Sequence, residues 1–586
     1  MHQQHIAQLI QKHQAATATL NHLMNCYIRE FAEPLGLVQW SAVGDFPKSL
    51  QIQAQNEICL RMDMPHLLCK LATRSSIRGA LNQIHLSSPI YEKQAGKPWR
   101  ILPAHEVIQR LLQHMAAISG SPFNEELHAQ IQNSMFNMQR FIEHQPIASI
   151  NPLQLTEQSL LWGHPFHPSP KSRAGVHTDV LLKCSPEVGA SFQLHWFKVA
   201  SALRQELGQP CVHHAATVLT GDATLYPCHP WEVTHILESP LYKAACKAGL
   251  ISHLGQLGKP VWPTSSVRTV YHPNLSHFLK FSVHVRLTNC IRKNAHYELE
   301  SAVGMSALLE ADFQEVEHAH LGFRMLREPS ASTLKFFHPD ILTTQDEIIH
   351  LEECFGILFR EPIQDDDCTP HLSGSLAAWT IDGQSALGQL IAKSAQTLGR
   401  DEQSFALEWL NAYFKQLVPP VLTLLFNHGI VLEPHLQNTV LGLANHLPQQ
   451  MWVRDLEGTK LLPQHWPDSR MHGLGKRAIE SVHYSQEKGW NRVSYCLFVN
   501  NIAEIILHAC CAYPGLEEQA WDNLSSLLTA QLESLNQPDA LLALLNGAPL
   551  ASKNNLKLRL LKNADKHADY TPLNHPLHTQ YEHHTD

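Results

Sequence analysis

The side chains best suited to gripping a polyanion are gathered between Ser265 and Arg292, in the run SSVRTVYHPNLSHFLKFSVHVRLTNCIR. Arg268, Lys280, Arg286 and Arg292 supply cations there, and Ser266, Thr269, Thr288 and Asn289 supply neutral hydrogen-bonding groups. A guanidinium is a planar fork that meets two oxygens of a phosphate or carboxylate at once, which a neutral donor cannot do. A second cluster is Trp162-Gly163-His164-Pro165-Phe166-His167-Pro168, followed by Lys171 and Arg173. Proline after each histidine holds the chain extended and removes main-chain donors, so side chains must carry any contacts. The plainer alternative is a rigid proline-rich turn with incidental histidines. A third cluster is Glu433-Pro434-His435-Leu436-Gln437-Asn438, with Arg454-Asp455 after a short apolar segment. If Glu433 ends one strand and Asp455 another, a carboxylate and the Asn438 carboxamide can share a divalent cation. Mg²⁺ adopts such an arrangement when a nucleotide provides its other oxygens. Tyr226-Pro227-Cys228-His229-Pro230-Trp231-Glu232 reads instead as architecture, because Trp231 offers a large buried surface and Pro230 a fixed turn.

These groups need elements to hold them. From Leu279 to Leu287, polar Lys280, Ser282, His284 and Arg286 alternate with apolar Phe281, Val283, Val285 and Leu287. That is the period of one half-buried strand, with the polar set on its open face. Residues 1–140 are expected to form a mostly helical domain, on the evidence of runs such as HQQHIAQLIQKHQAATATLNHLMNCYIREF and AHEVIQRLLQHMAAI, with apolar positions three and four apart. Residues 141–400 mix short β-rich runs, loops and helices, and carry most of the motifs. Residues 401–586 return to helices, as in SFALEWLNAYFKQLVPPVLTLLFNHG, where Gly429 is placed to end a helix. The β-like segments GIVLEPHLQNTVLGL and MWVRDLEG follow. The fold class is α+β, with mixed antiparallel sheets.

Composition narrows the functions further. A chain of 586 residues exceeds one ordinary core and suggests about two to four domains. With 44% hydrophobic and 17% charged residues, it is expected to be soluble and folded. A formal net charge of −9 argues against nucleic acid as a partner while leaving room for a local cationic pocket. The 13 cysteines form no C-x-x-C pair and fit reduced thiols in a cytoplasm. No signal-peptide layout opens the chain, and no uninterrupted apolar run approaches the roughly 18 to 20 residues of a membrane helix. The 40 histidines are scattered, YEHHTD reads as a tail, and no H-E-x-x-H is present, so a zinc site is not expected. Asp365 to Asp367 read as a solvated turn. Gly255-Gln256-Leu257-Gly258-Lys259-Pro260 lacks the spacing of a phosphate-binding P-loop, and no G-x-S-x-G elbow is present.

Taken together, G-H-P-x-H-P-x-x-K-x-R-x-G, S-x-R-T, K-x7-T-x3-R, E-x-H-x-Q-N and R-D resemble the IucA/IucC family of siderophore synthetases, from about residue 145 to about 565. The resemblance implies a cupped hand of thumb, fingers and palm, in which ATP and a carboxylic acid meet. It implies that Ser266, Arg268, Thr269 and Lys280, with His164 or His167 and Lys171, hold the nucleotide. Thr288, Asn289, Arg292, His435 and Gln437 would face a citrate-like substrate, with Arg360, Arg492 and Lys553 as added cations. Glu433, Asn438 and Asp455 would bind Mg²⁺ or orient the nucleotide. Two departures stand out: Leu436 where the family often has Gly, and Glu232 where it usually has Gln. The implied reaction joins citrate, or a citryl intermediate, to an amine through an acyl adenylate, with Arg292, Lys280 and His435 closest to the chemistry, in a cytoplasmic homodimer that binds neither nucleic acid nor membrane. Two other classes remain open: a kinase-like phosphotransferase, suggested by Asn438 followed by Asp455, and a non-catalytic binder of citrate or ferric siderophore.

Overall fold

The computed structural model describes residues 2–41, 44–51, 57–146, 151–176, 178–287, 290–336, 344–363, 367–563 and 569–578. Thr288, Asn289, Asp365 and the YEHHTD tail lie outside them. The helix His2–Tyr27 runs on into a π-helical turn, Ile28–Ala32, and packs against helices Ala104–Ser119 and Glu125–Glu143. Pro103 precedes the second of these helices and Gly120, at φ 61°, ends it. Asn124 caps the third by accepting the Leu127 amide at 2.9 Å. Besides these helices, the segment carries a six-stranded antiparallel sheet between Val38 and Ile101, which the sequence reading had not anticipated.

Two further sheets position the motifs. The first is antiparallel, in the order Trp262–Pro263, Thr269–Tyr271, Phe278–Phe281, Ile357–Arg360, Ser330–Leu334, Arg204–Gly208. Its register sets Thr269 opposite Lys280, and Phe278 opposite Arg360. The single strand expected from Leu279 to Leu287 is broken at Ser282. Phe278–Phe281 belongs to this sheet, whereas Val283–Leu287 pairs with Cys290–Arg292 in a separate hairpin. Ser282 makes the break by accepting the Asn294 amide on its hydroxyl at 2.7 Å. Its own amide bonds to the Gly356 carbonyl at 3.1 Å. Nor is the polar face open to solvent, since Lys280 and Ser282 are buried.

The second sheet runs Phe323–Met325, Leu447–Val453, Thr439–Ala444, Thr369–Leu372, its first pair parallel and the others antiparallel. Two strands from before residue 400 thus flank a hairpin from after it, and the segments expected as separate domains interlock. Helix Glu402–Phe426, capped by Asp401, lies in the core beneath this sheet and ends as anticipated: Gly429, at φ 67°, returns its amide to the Leu425 carbonyl at 3.1 Å. The helical run Gln486–Cys510 is long and apolar enough to cross a membrane, but its apolar window is entirely buried within the protein. Its middle, Tyr495–Ile502, is π-helical, a distortion that re-aims side chains and is frequent at functional sites. Segments far apart in the chain meet as well: the Glu30 carboxylate accepts the Leu556 and Lys557 amides at 2.9 and 2.7 Å.

Candidate active site

The three motif clusters converge on one cavity of about 360 Å³. The first sheet contributes Lys280, Arg360 and Thr269. The turn before Thr269 contributes Ser266 and Arg268, and the hairpin contributes Arg292. From the 162–173 loop come His164, His167 and Lys171; from the turn between strands Ile430–Val431 and Thr439–Ala444 come Glu433, His435, Gln437 and Asn438, and Asp455 lies just past strand Leu447–Val453. Arg492 and Lys553 close the far side. Every site residue expected from the sequence and lying among the described residues therefore lines the same hollow.

Two turns that carry these groups are strained. Val267 has φ 68° and Asp455 φ 87°, a region that β-branched and other Cβ-bearing residues rarely enter, at a cost of about 1–3 kcal/mol each. The strain at Val267 is held by the Thr264 carbonyl, which accepts its amide at 2.8 Å, and by the Ser266 hydroxyl, which accepts the Thr269 amide at 3.1 Å. Arg268 is thereby turned inward. Asp455 turns the chain so that both its carboxylate and that of Glu457 enter the cavity.

A charge cluster occupies the centre. Lys280 Nζ lies 2.5 Å from Asp455 Oδ1, 2.8 Å from Glu457 Oε2 and 3.7 Å from Glu328 Oε1. Arg360 reaches Glu328 at 2.7 Å and Asp455 at 3.3 Å, while Arg268 reaches Glu457 at 3.0 Å and the Asn294 carboxamide at 2.6 Å. Burial works against the Lys280 ammonium, but Asp455, Glu328 and Glu457 outweigh it and raise its pKa. Burial likewise opposes the Asp455 carboxylate, yet Lys280 and Arg360 hold it far below the usual carboxylate range. Glu457, against the same penalty, is held at about 2 by Lys280 and Arg268. Arg492 is paired with Glu433 and with the Tyr484 hydroxyl at 2.8 Å.

Among the described residues, nine Lys and Arg side chains line the cavity against three carboxylates, Glu433, Asp455 and Glu457. Three more carboxylates sit behind the wall, each held by a lining cation: Glu157 by Arg454 at 2.5 Å, Glu187 by Lys171 at 2.6 Å, and Glu328 by Arg360. A surplus of cations remains, as a polyanionic ligand requires. Lys171, expected at the nucleotide, has its ammonium bound inside the wall by Glu187 and by the Leu160 carbonyl at 2.5 Å, and burial lowers its pKa. Arg454 also shapes the site, gripping the Gln437 carbonyl at 2.7 Å and so fixing the 433–438 turn. Within that turn Asn438 donates through Nδ2 to the Glu433 carbonyl at 3.1 Å, which leaves its Oδ1 for a cation.

The histidine–proline motif has a specific geometry. His164 Nδ1 accepts the Phe166 amide at 2.9 Å, and His167 Nδ1 accepts the Ser169 amide at 3.2 Å. Since a backbone amide can only donate, the neutral ring carries its proton on Nε2. For His164 that atom lies 2.5 Å from Asn500 Nδ2 and 3.5 Å from the Tyr495 hydroxyl, both from the π-helical segment, so an Nε2–H donates to the Tyr495 oxygen and pairs with Asn500 only when the carboxamide turns its Oδ1 inward. Burial, then the neighbouring His167 and His435, push the His164 pKa well down, and burial also lowers that of His435. The Thr269 hydroxyl is buried with no hydrogen-bond partner among the described residues, which is costly unless a ligand completes it.

The sequence reading missed Glu157, Glu328, Glu457, Tyr495 and Asn500. Glu457 stands two residues past Asp455, and Asn500 with Asn501 interrupts the apolar run YCLFVNNIAEIIL, which is a readable signal of buried polar work. Glu157 and Glu328 carry no local signal.

The model of the IucA / IucC family matches residues 152–378, and that of the ferric iron reductase FhuF-like transporter matches residues 407–568. L-2,3-diaminopropanoate–citrate ligase of Staphylococcus aureus is 31% identical over 437 residues, covering 70% of this chain and 73% of that protein. Spermidine-citrate ligase of Bacillus anthracis is 26% identical over 612 residues, 96% of this chain and 98% of that protein. Among solved structures, ATP-bound aerobactin synthetase IucA from a hypervirulent pathotype of Klebsiella pneumoniae superposes with a TM-score of 0.83 at 21% identity, over 96% of this chain and 100% of that one. The last likeness is one of fold.

Proposed function

The chain belongs to the IucA / IucC family, and we propose that it is an ATP-dependent siderophore synthetase that adenylates a carboxylate of citrate, or of a citryl intermediate, and joins it to an amine. The observation that carries this reading is the cation surplus around one cavity, nine lining Lys and Arg against six carboxylates in its wall or directly behind it among the described residues. Two relatives are named citrate ligases for amine-bearing partners, diaminopropanoate and spermidine.

A carboxylate oxygen attacks the α-phosphorus of ATP, forming the acyl–phosphate bond while the bond to pyrophosphate breaks. Charge gathers on the phosphate oxygens, and Arg268, Lys280 and Arg292 stabilise it in a low-dielectric site where no solvent has to reorganise. The Ser266 and Thr269 hydroxyls donate to the same oxygens. Mg²⁺ bound with the nucleotide supplies charge neutralisation, and Asp455, Asn438 and Glu433 are the oxygen donors suited to it. Arg360, Arg492, Lys553 and Gln437 hold the remaining citrate carboxylates and hydroxyl. The amine then attacks the acyl carbon, AMP leaves with the bonding pair, and the proton lost by nitrogen passes to His435, which burial keeps neutral and able to accept it.

A second cavity of about 580 Å³ shares Glu457, Arg492 and Lys553 with the first. Tyr297, Glu298 and Tyr484 line it, and we read it as the approach of the amine. The products decide the reaction class. AMP and pyrophosphate, with a citrate-dependent hydroxamate on trapping with hydroxylamine, are expected. ADP and phosphate, or transfer of the γ-phosphoryl group to an acceptor, would replace this reading with a phosphotransferase. Citrate or ferric-chelate binding that is indifferent to ATP and yields no product would replace it with a binder.

A further inference from the structure

Away from the cavity, His284, His350 and Cys354 bring one potential ligand atom each to within 4.8 Å of one another. His350 and Cys354 stand one turn apart on helix Gln345–Cys354, and His284 comes from the hairpin strand Val283–Leu287. His350 is exposed, Cys354 is buried and the His284 ring is nearly so. The His284 Nδ1 is held by the buried Glu232 carboxylate, which also accepts the His284 amide. The Cys354 sulfur lies 3.8 Å from that same Nδ1, and Nε2 is buried and without a hydrogen-bond partner among the described residues, so a modest turn of the ring is needed to present Nε2 to the thiol. His235 lies beside the group, its ring centroid 5.5 Å from that of His284 and 6.2 Å from that of His350.

We propose that His284, His350 and Cys354 form a site for a divalent metal of the Zn²⁺ type. A thiolate with two imidazoles is a donor set that Zn²⁺ favours and that Mg²⁺ and Ca²⁺ do not. Glu232 plays the part of the carboxylate that fixes a metal-binding histidine through its other nitrogen. That role accounts for an acid buried beside an imidazole, and for the orphaned Nε2 opposite. Bonds of about 2.0–2.3 Å in a tetrahedral site space the donor atoms roughly 3.3–3.8 Å apart, so no pair has to close by more than about 1.5 Å, a movement within reach of rotations of the His284 ring and the exposed His350 ring. On binding, the Cys354 sulfur forms a bond to the metal and its proton leaves to solvent. The thiol's present hydrogen bond to the His350 carbonyl, at 3.2 Å, is given up. Because the strand bearing His284 pairs with Cys290–Arg292, the metal ties to helix Gln345–Cys354 the same hairpin that delivers Arg292 to the cavity. No H-E-x-x-H signals this site, since its ligands come from one helix and a distant strand.

The full chain, stripped with a chelator, is titrated with Zn²⁺ by calorimetry and with Co²⁺ by absorption. One tight equivalent and a thiolate-to-Co²⁺ charge-transfer band are expected. Cys354→Ser removes the band, and His350→Ala, at an exposed position that does not threaten the fold, weakens binding by about tenfold or more. A Co²⁺ spectrum without the charge-transfer band overturns the proposal. So does Zn²⁺ affinity unchanged in His350→Ala, or several weak equivalents indifferent to both substitutions, which would be surface histidines.

Discussion

Lys280→Met tests whether the central charge cluster serves the reaction or only the fold. The ammonium lies within 2.8 Å of two carboxylates that form part of the cavity wall, and it is the cation best placed to move onto a phosphate when a nucleotide enters. At about 4 Å and an effective dielectric near 20, one such charge is worth roughly 4 kcal/mol to the developing anion. Loss of a single preorganised donor costs about 10²–10³ in kcat, or about 3–4 kcal/mol, and the two magnitudes agree. The structural penalty is smaller. Asp455 keeps Arg360 at 3.3 Å and Glu457 keeps Arg268 at 3.0 Å, so neither carboxylate is stranded, and the loss falls below the roughly 3–5 kcal/mol of an unpaired buried charge. Citrate-dependent pyrophosphate release should therefore fall by about 10²–10³ while the denaturant midpoint shifts only modestly. Lys280→Arg should recover part of the rate, since charge is kept but the fork cannot sit as a point between two carboxylates. A folded Lys280→Met protein that releases pyrophosphate within about threefold of the parent rate would refute the reasoning. Collapse of the fold would refute it equally, by making Lys280 a structural ion.

Acid should destabilise this chain early: burial lowers the pKa of His22, His229 and His508 to about 3 each, whereas the unfolded chain takes up those protons near pH 6.5. The stabilisation is complete above about pH 6.5 and is lost as pH falls, by about 2 kcal/mol per histidine at pH 5, a sum comparable with the whole folding free energy. Urea midpoints at pH 7, 6 and 5 on the order-of-unit spacing of that shift read this directly, and a flat series would refute it. Glu157→Gln leaves the buried Arg454 without its carboxylate and should cost about 3–5 kcal/mol in a denaturant titration, an unchanged midpoint being the contrary result.

Much of the cavity was legible because its cations, hydroxyls and amide occur in short motifs whose spacing survives in one dimension. Their counter-ions were not. Glu157 lies 297 residues from the Arg454 it neutralises, and Glu457 lies 189 from Arg268, so nothing near either glutamate separates it from a solvated surface charge. Periodicity failed in a related way at Ser282. Alternation continues through the break, because Lys280 faces a cavity and Ser282 a buried polar contact rather than water, and only the tertiary partners Asn294 and Gly356 end the strand. The sheet between Val38 and Ile101 was hidden for another reason. Strand ICLRMDM is buried in near alternation, yet Leu, Arg and Met are strong helix formers, and composition masked the pattern.

The histidine–proline motifs show how a plain reading and a functional one can both hold. Proline supplies no amide, so the histidine before it accepts the next amide along, at His164 and His167 and equally at His229, His272 and His575, the last three at 3.1 Å. Those last three do not line the cavity. The motif is therefore first a turn that locks one imidazole tautomer, wherever the fold needs it. Chemistry arises only where the freed Nε2 is aimed at something useful, and at His164 that aim comes from Tyr495 and Asn500 on a π-helical segment more than 300 residues away in the chain. Motif spacing can nominate such a histidine. The distant segment decides what it does.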